Sequence, residues 1–292
     1  MKKAAALLCL VASFACAQQR PAITGIAFVR MYAADQAAST AFYKDKLGFD
    51  RITKNSIARY AVNDSQWLEV VPLPSPAPQS RIAAIAFTTR NAAQLQSYLK
   101  AHAVAIDQPL KNGSFAVHDP EGQLVIFVQQ RPASSKTISP RAASHRLIHT
   151  GFWVHNRAKE DAFWRDILGF RPLWFGGAHD GEINYVSSQV PDGTDWIEYM
   201  LNRSENPSAR SLGSMNHFSL GVAHMSDAIA ALARNGCTGP ECSNSKMGRD
   251  GKVQLNLFDP DLTRAEFMEF KPSGPTCCSP FTGPPPTEKE NR

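Results

Sequence analysis

Beyond its opening residues the 292-residue sequence has no apolar run long enough to cross a bilayer, so no membrane span is expected in the rest of the chain. Charge of one sign is also in short supply. The net charge is +5, and the basic residues are scattered rather than gathered into a stripe with aromatics between them, so no nucleic-acid partner is expected. Cysteine is sparse, at six residues. Cys237-x4-Cys242 followed by adjacent Cys277 and Cys278 matches no common zinc spacing, and the Pro and Gly around them suggest exposed loops.

What is present at the start is an address. Residues 1–17, MKKAAALLCLVASFACA, carry two lysines, an apolar run and the small pair Ala15 and Ala17. This pattern predicts a secretory signal peptide cleaved after Ala17, and hence a secreted or periplasmic protein. Lipidation at Cys16 ranks second, because Ser13 is a poor match to the aliphatic residue usual there. Removing the signal leaves four cysteines in an oxidising compartment, which favours a disulfide within the 237–242 loop, or from that loop to the tail.

The body of the chain repeats itself. AFYKDKLGF at residues 41–49 returns as AFWRDILGF at 162–170, Trp67-Leu68-Glu69 as Trp196-Ile197-Glu198, and Asp119-Pro120-Glu121 as Asp259-Pro260-Asp261. Two tandem domains follow, at 22–131 and 146–271, joined by a Ser/Pro/Arg linker at 132–145 and followed by a Pro-rich tail at 272–292 expected to be irregular. Each half divides again. In the first half the pattern predicts strand over 23–31, helix over 37–46 and three short strands, then strand over 82–88, helix over 92–102 and further strands. The expected fold class is therefore α+β, with four βαβββ units, two per domain.

Coordinating side chains recur at matching places in the second half. His149 and His217 are each read as opening the first strand of a unit. Glu198 and Glu266 lie in the last strands, each 49 residues after its histidine. Units related by a pseudo-twofold would bring all four to one central cleft. Two imidazoles and two carboxylates suit a divalent ion of intermediate softness (Zn, Ni, Co, Mn or Fe), with coordination left for water or substrate. His149, His217 and Glu266 alone also satisfy the two-His-one-carboxylate pattern of non-haem iron, and residue types do not choose between these readings.

The helix end FYxDxLGF, the strand histidine and the DPDxxxxE final hairpin together resemble the vicinal oxygen chelate superfamily, which includes glyoxalase I, epimerases, bleomycin-binding proteins and extradiol dioxygenases. The resemblance spans roughly residues 22–271. It implies that each domain curls its two units into an incomplete barrel around a cleft, and that His149, Glu198, His217 and Glu266 occupy the four metal-ligand positions of the glyoxalase I type. It implies a small-molecule substrate or ligand. In relatives of that type a metal acidifies a proton next to a carbonyl, an enediolate forms, and a carboxylate moves the proton. Glu198 and Glu266 are the catalytic candidates, with the ligand and base roles unassigned.

The first half has Phe28, Glu69, Ala84 and Ile126 at the equivalent places, so it is expected to be metal-free. An inert first domain before a metal-bearing second one also resembles the two-domain extradiol dioxygenases. Those enzymes, however, carry a histidine and a tyrosine shortly before the last glutamate, and residues 248–257 (GRDGKVQLNL) offer neither. Three functions stay in play: a metal-dependent lyase, isomerase or epimerase, an extradiol-type dioxygenase, and a non-catalytic binding protein. His155 and His224 are expected to face solvent, His179 to stand in the Gly-rich loop GGAHDG with the cleft mouth as the less favoured alternative, and Glu269 to be a surface charge.

Overall fold

The computed structural model describes residues 19–54, 57–131 and 138–288. The expected signal peptide, its cleavage site after Ala17, Cys16, and the first part of the linker lie outside them. Within the described residues the chain forms two eight-stranded sheets in tandem. The first comprises β1 (Ile23–Ala33), β2 (Asp50–Lys54), β3 (Ile57–Ala61), β4 (Trp67–Pro72), β5 (Ile82–Thr89), β6 (Gln108–Lys111), β7 (Ser114–His118) and β8 (Leu124–Gln129). Their spatial order is β2-β3-β4-β1-β5-β8-β7-β6. The second comprises β9 (Arg146–Trp153), β10 (Arg171–Gly176), β11 (Tyr185–Gln189), β12 (Trp196–Met200), β13 (His217–Val222), β14 (Lys246–Met247), β15 (Val253–Phe258) and β16 (Arg264–Glu269), in the corresponding order. In each sheet the first strands of the two units run antiparallel side by side at the centre, and each pairs in parallel with the last strand of its own unit. This is the two-domain α+β arrangement expected from the repeats.

The repeated LGF ends a helix in the same way twice. Gln36–Thr40 and Arg157–Asp161 are α-helical turns that widen into π-helical turns at Ala41–Lys46 and Ala162–Ile167. Asp35 and Asn156 cap their starts by accepting from backbone amides. Gly48 and Gly169 stop them at φ of 81° and 76°, a left-handed conformation in which only glycine is unstrained. A side chain at Gly48 would also collide with the Arg141 carbonyl.

One apolar core runs through both domains. Tyr43 of the first helix contacts Phe218 of β13, and Phe87 of β5 packs edge-on against Trp164 and Phe170 of the second half. The two Asp-Pro hairpins dock reciprocally on the other domain's helix. Asp259 accepts a 2.6 Å hydrogen bond from the Tyr43 hydroxyl. Asp119 instead faces Glu160, whose carboxylate also accepts from Trp164 Nε1 at 2.7 Å. Burial raises Asp119 to about 7, and burial together with the Asp119 charge raises Glu160 to about 8. Both folded-state values lie above the unfolded ones, so the pair's contribution is full in acid and is lost as pH rises through those values. We expect the melting temperature of the wild type to fall between about pH 4 and about pH 8, and Glu160→Gln to flatten that fall. An unchanged slope in differential scanning calorimetry of the variant would count against the pair.

Several details depart from the sequence expectations. His149 does not open its strand; β9 starts three residues earlier, because Arg146 is drawn in by a buried ion pair with Asp195. A helix not expected from the sequence, Ala209–Met215, capped by Ser208, precedes β13. Glu269 is not a free surface charge, since it accepts from the Met225 amide at 2.9 Å, at the start of the helix Met225–Arg234 that follows β13. The described part of the linker buries Ala142, Ala143 and Ser144. Cysteines pair as Cys237 with Cys242 and Cys277 with Cys278, so the loop-to-tail disulfide does not form. Described residues of the tail form no helix or strand, yet they dock on the second sheet. Trp174 Nε1 donates to the Cys277 carbonyl, Thr282 N to the Leu173 carbonyl, and Phe281 stacks on Trp174 at 6.2 Å.

Candidate metal centre

The sheet register shows how the two halves differ at one place. In the second sheet His149 lies opposite Ser219 on β13 and beside Trp196 on β12, while Glu266 on β16 lies beside Ser219. In the first sheet the same positions are Phe28, Ala86, Trp67 and Ile126. There Phe28 stacks on Trp67 and joins Ala84, Ala86, Ala116 and Ile126 in an apolar cluster. Exchanging Phe28 for Leu, or Ala84 for Ser, is therefore expected to leave any bound metal unchanged in elemental analysis.

In the second sheet the corresponding side chains are polar, buried and convergent. His149 Nε2 stands 3.1 Å from His217 Nε2 and 3.1 Å from Glu266 Oε2. Glu266 Oε2 lies 3.9 Å from His217 Nε2. Both histidines are fully buried and Glu266 nearly so. The His217 ring is oriented by Nδ1 facing the Met215 carbonyl at 3.0 Å, which places its proton there and leaves a lone pair on Nε2. The His149 ring is held against Trp196, centroids 4.7 Å apart. Gly151 makes room for the arrangement, because a β-carbon there would coincide with the His217 imidazole.

Electrostatics leave these groups in the protonation states a metal needs. Burial pushes His149 down and His217 far down, which keeps both imidazoles neutral. Burial opposes ionisation of Glu266, but the Arg264 charge and the His149 hydrogen bond outweigh it and hold the carboxyl well below its ordinary range. Apart from one another, Glu266 Oε2 and the two Nε2 atoms meet no strong partner among the described residues, and all three lie within 4.8 Å of one another. Two neutral nitrogens and a carboxylate oxygen gathered in this way fit a divalent ion bonded at about 2.0–2.2 Å to each.

Glu198 occupies a different position. Its Oε2 is 3.6 Å from His217 Nε2 and its side chain keeps 14% exposure. It lies outside the group formed by His149, His217 and Glu266, whose ligand atoms fall within 4.8 Å of one another. Its counterpart Glu69 is clamped by Arg30 at 2.7 Å, Arg59 at 2.6 Å and Trp67 Nε1 at 2.9 Å. Register puts Gly151 and Ser187 where those arginines would be, so Glu198 has lost both clamps. Burial and the nearby Glu266 charge raise its carboxyl to about 8.

The other predicted positions fall away from this point. His155, His179 and His224 are exposed, and His155 pairs with Glu121 at 2.7 Å across the domain boundary. Lys252 and Arg264 lie close to the site without any local sequence signal. Arg264 Nη1 reaches Glu266 Oε1 at 3.3 Å, and the buried Lys252 ammonium lies 4.5 Å from the Trp196 ring. A lysine just before an apolar strand reads as solvated, and nothing local signals otherwise.

Comparison with known proteins decides the family. Two family models described as the Glyoxalase/Bleomycin resistance protein/Dioxygenase superfamily match residues 25–127 and 148–253, together more than half of the chain. The chain belongs to this superfamily. Among solved structures, the superfamily fold is similar to a mutant of homoprotocatechuate 2,3-dioxygenase from Brevibacterium fuscum, at 18% identity and a TM-score of 0.65. That match covers 91% of this chain and 74% of the other. It is also similar to the Mn(II)-bound glyoxalase from Novosphingobium aromaticivorans, at 16% identity and a TM-score of 0.64, covering 85% of this chain and 83% of the other. No curated protein matches the chain by sequence. The superfamily fold here is a tandem of two domains, and no described helix is long and apolar enough to cross a membrane.

Proposed function

We propose that this chain is a divalent-metal-dependent enzyme of the glyoxalase type, a lyase, isomerase or epimerase, working in the 146–271 domain on a small oxygenated molecule. The carrying observation is the convergence of His149, His217 and Glu266 beside a Glu198 freed of the arginines that hold its counterpart. His149, His217 and Glu266 would hold the ion. When bound, it would act as a Lewis acid on substrate oxygens and make a proton beside a carbonyl more acidic. The solved Mn(II)-bound glyoxalase supports an ion of this kind.

Glu198 is the proton carrier in this reading, and Glu266 the ligand. Glu198 stands beside His217 without a counter-ion, on the same face of the cup, where it can take a proton from one position on a substrate and return it at another. Trp196 and Gly151 fix the two imidazoles, so the geometry is set before substrate arrives. Disulfides at Cys237–Cys242 and Cys277–Cys278 support an exported protein, which would not meet cytosolic thiol cosubstrates.

A second reading, extradiol-type ring cleavage, draws on the three-residue His149, His217 and Glu266 set, which is complete without Glu198, and on the fold shared with the Brevibacterium fuscum enzyme. The region opposite Glu266 offers Asn256 rather than a histidine or tyrosine, which weighs against it. The two are separated by incubating metal-loaded protein in D2O with 2-hydroxycarbonyl compounds and, separately, with catechols under an oxygen electrode. Deuterium exchange at the carbon beside the carbonyl, abolished in Glu198→Gln and without oxygen uptake, is the expected result. Oxygen consumption with catechols would replace the first reading by the second, and neither activity would leave a binding protein.

A further inference from the structure

Lys252 is a buried cation without a counter-ion in contact. Its side chain is 2% exposed, and its ammonium sits 4.5 Å from the Trp196 ring and 4.7 Å from the Phe281 ring. Among the described residues no side chain pairs with that ammonium; the residue's hydrogen bond to Asp250 is made by its backbone amide, at 3.2 Å. Asp250, Glu266 and Glu198 act on it only through longer-range attraction. A lysine desolvated in this way is costly unless something charged meets it.

The position of Lys252 gives that something a place. The residue precedes β15, which three strands separate from β12 in the sheet, so its side chain spans the cup to reach Trp196, which in turn stacks on His149. The docked tail closes the other side with Phe281. Arg264 adds a second cation beside Glu266, and its Nε is buried with no acceptor. With a divalent ion on the triad, Lys252, Arg264 and the ion outweigh the carboxylates of Glu198, Glu266 and Asp250, so the cup is electropositive. A single ammonium flanked by two aromatic faces and served by no glycine-rich loop suits a flat carboxylate better than a phosphate.

We propose that Lys252, walled by Trp196 and Phe281, is a carboxylate-binding subsite, and that the substrate is a small acid whose carboxylate stands apart from the oxygens facing His149, His217 and Glu266. The inference rests on the metal site proposed above.

The test uses the full chain loaded with Mn(II) and two unreactive probes, lactate and malate. Both carry a hydroxyl and a carboxylate on neighbouring carbons, and malate adds a second carboxylate. Titration calorimetry is expected to show malate binding at least ~10-fold more tightly than lactate, the scale of one buried charge-assisted hydrogen bond. In Lys252→Met that preference should shrink to within about twofold, with lactate affinity, Mn content and melting temperature kept, whereas Lys252→Arg should retain it. A preference that survives Lys252→Met, or is missing from wild type that holds Mn, overturns the subsite and leaves the metal site standing. Wild type that binds no Mn overturns both.

Discussion

His217→Ala is expected to purify with less than about a tenth of the wild-type metal and to lose at least ~10²-fold in turnover, since a ligand lost from a buried three-residue set removes more than the 10- to 100-fold typical of its supporting partners. The effect should be this large because His217 supplies one of the two nitrogens of the set, and its removal leaves His149 and Glu266 as a two-point site. Gly151→Ala should reproduce the loss without touching a ligand, because the new methyl occupies the space of the His217 ring. Elemental analysis beside circular dichroism checks both. Full metal content in a folded Gly151→Ala would show that the ring position does not matter.

Asp195→Ala is expected to destabilise the protein by ~3–5 kcal/mol in urea titration, the usual cost of stranding one member of a buried ion pair. That is about a fifth or more of the stability of an ordinary domain. Asp195 is fully buried, pairs with the equally buried Arg146, and accepts from the Ile26 amide of the first domain at 2.7 Å. Its repeat counterpart Gln66 bridges the same seam, donating to the Ile26 and Leu147 carbonyls and accepting from the Leu147 amide at 2.9 Å. Removing Arg146 as well should recover part of the loss, because the uncompensated guanidinium goes with it. Equal destabilisation by the single and double variants would place the energy in the Ile26 bond instead.

Repetition made the fold legible. The two LGF helix ends, the two Trp-x-Glu strands and the two Asp-Pro hairpins recur in the same order in each half, which marks the duplication and the equivalence of Phe28 with His149 that the register of β1 and β9 displays. What could not be read is what depends on contacts between distant segments. Glu69 and Glu198 look alike in sequence, but two arginines from neighbouring strands neutralise one and not the other. Arg146 starts β9 early because its partner is 49 residues away. Lys252 is buried because Trp196 and a Pro-rich tail close over it, and no periodicity of the tail announces docking.

Elemental analysis of the purified full chain, after equilibration with a mixture of divalent ions and removal of the excess, tests the metal centre most directly. The structure predicts about one ion per chain in the wild type, the same in Phe28→Leu, and none in His149→Ala. Wild type that retains no ion, or His149→Ala that retains as much, would contradict it.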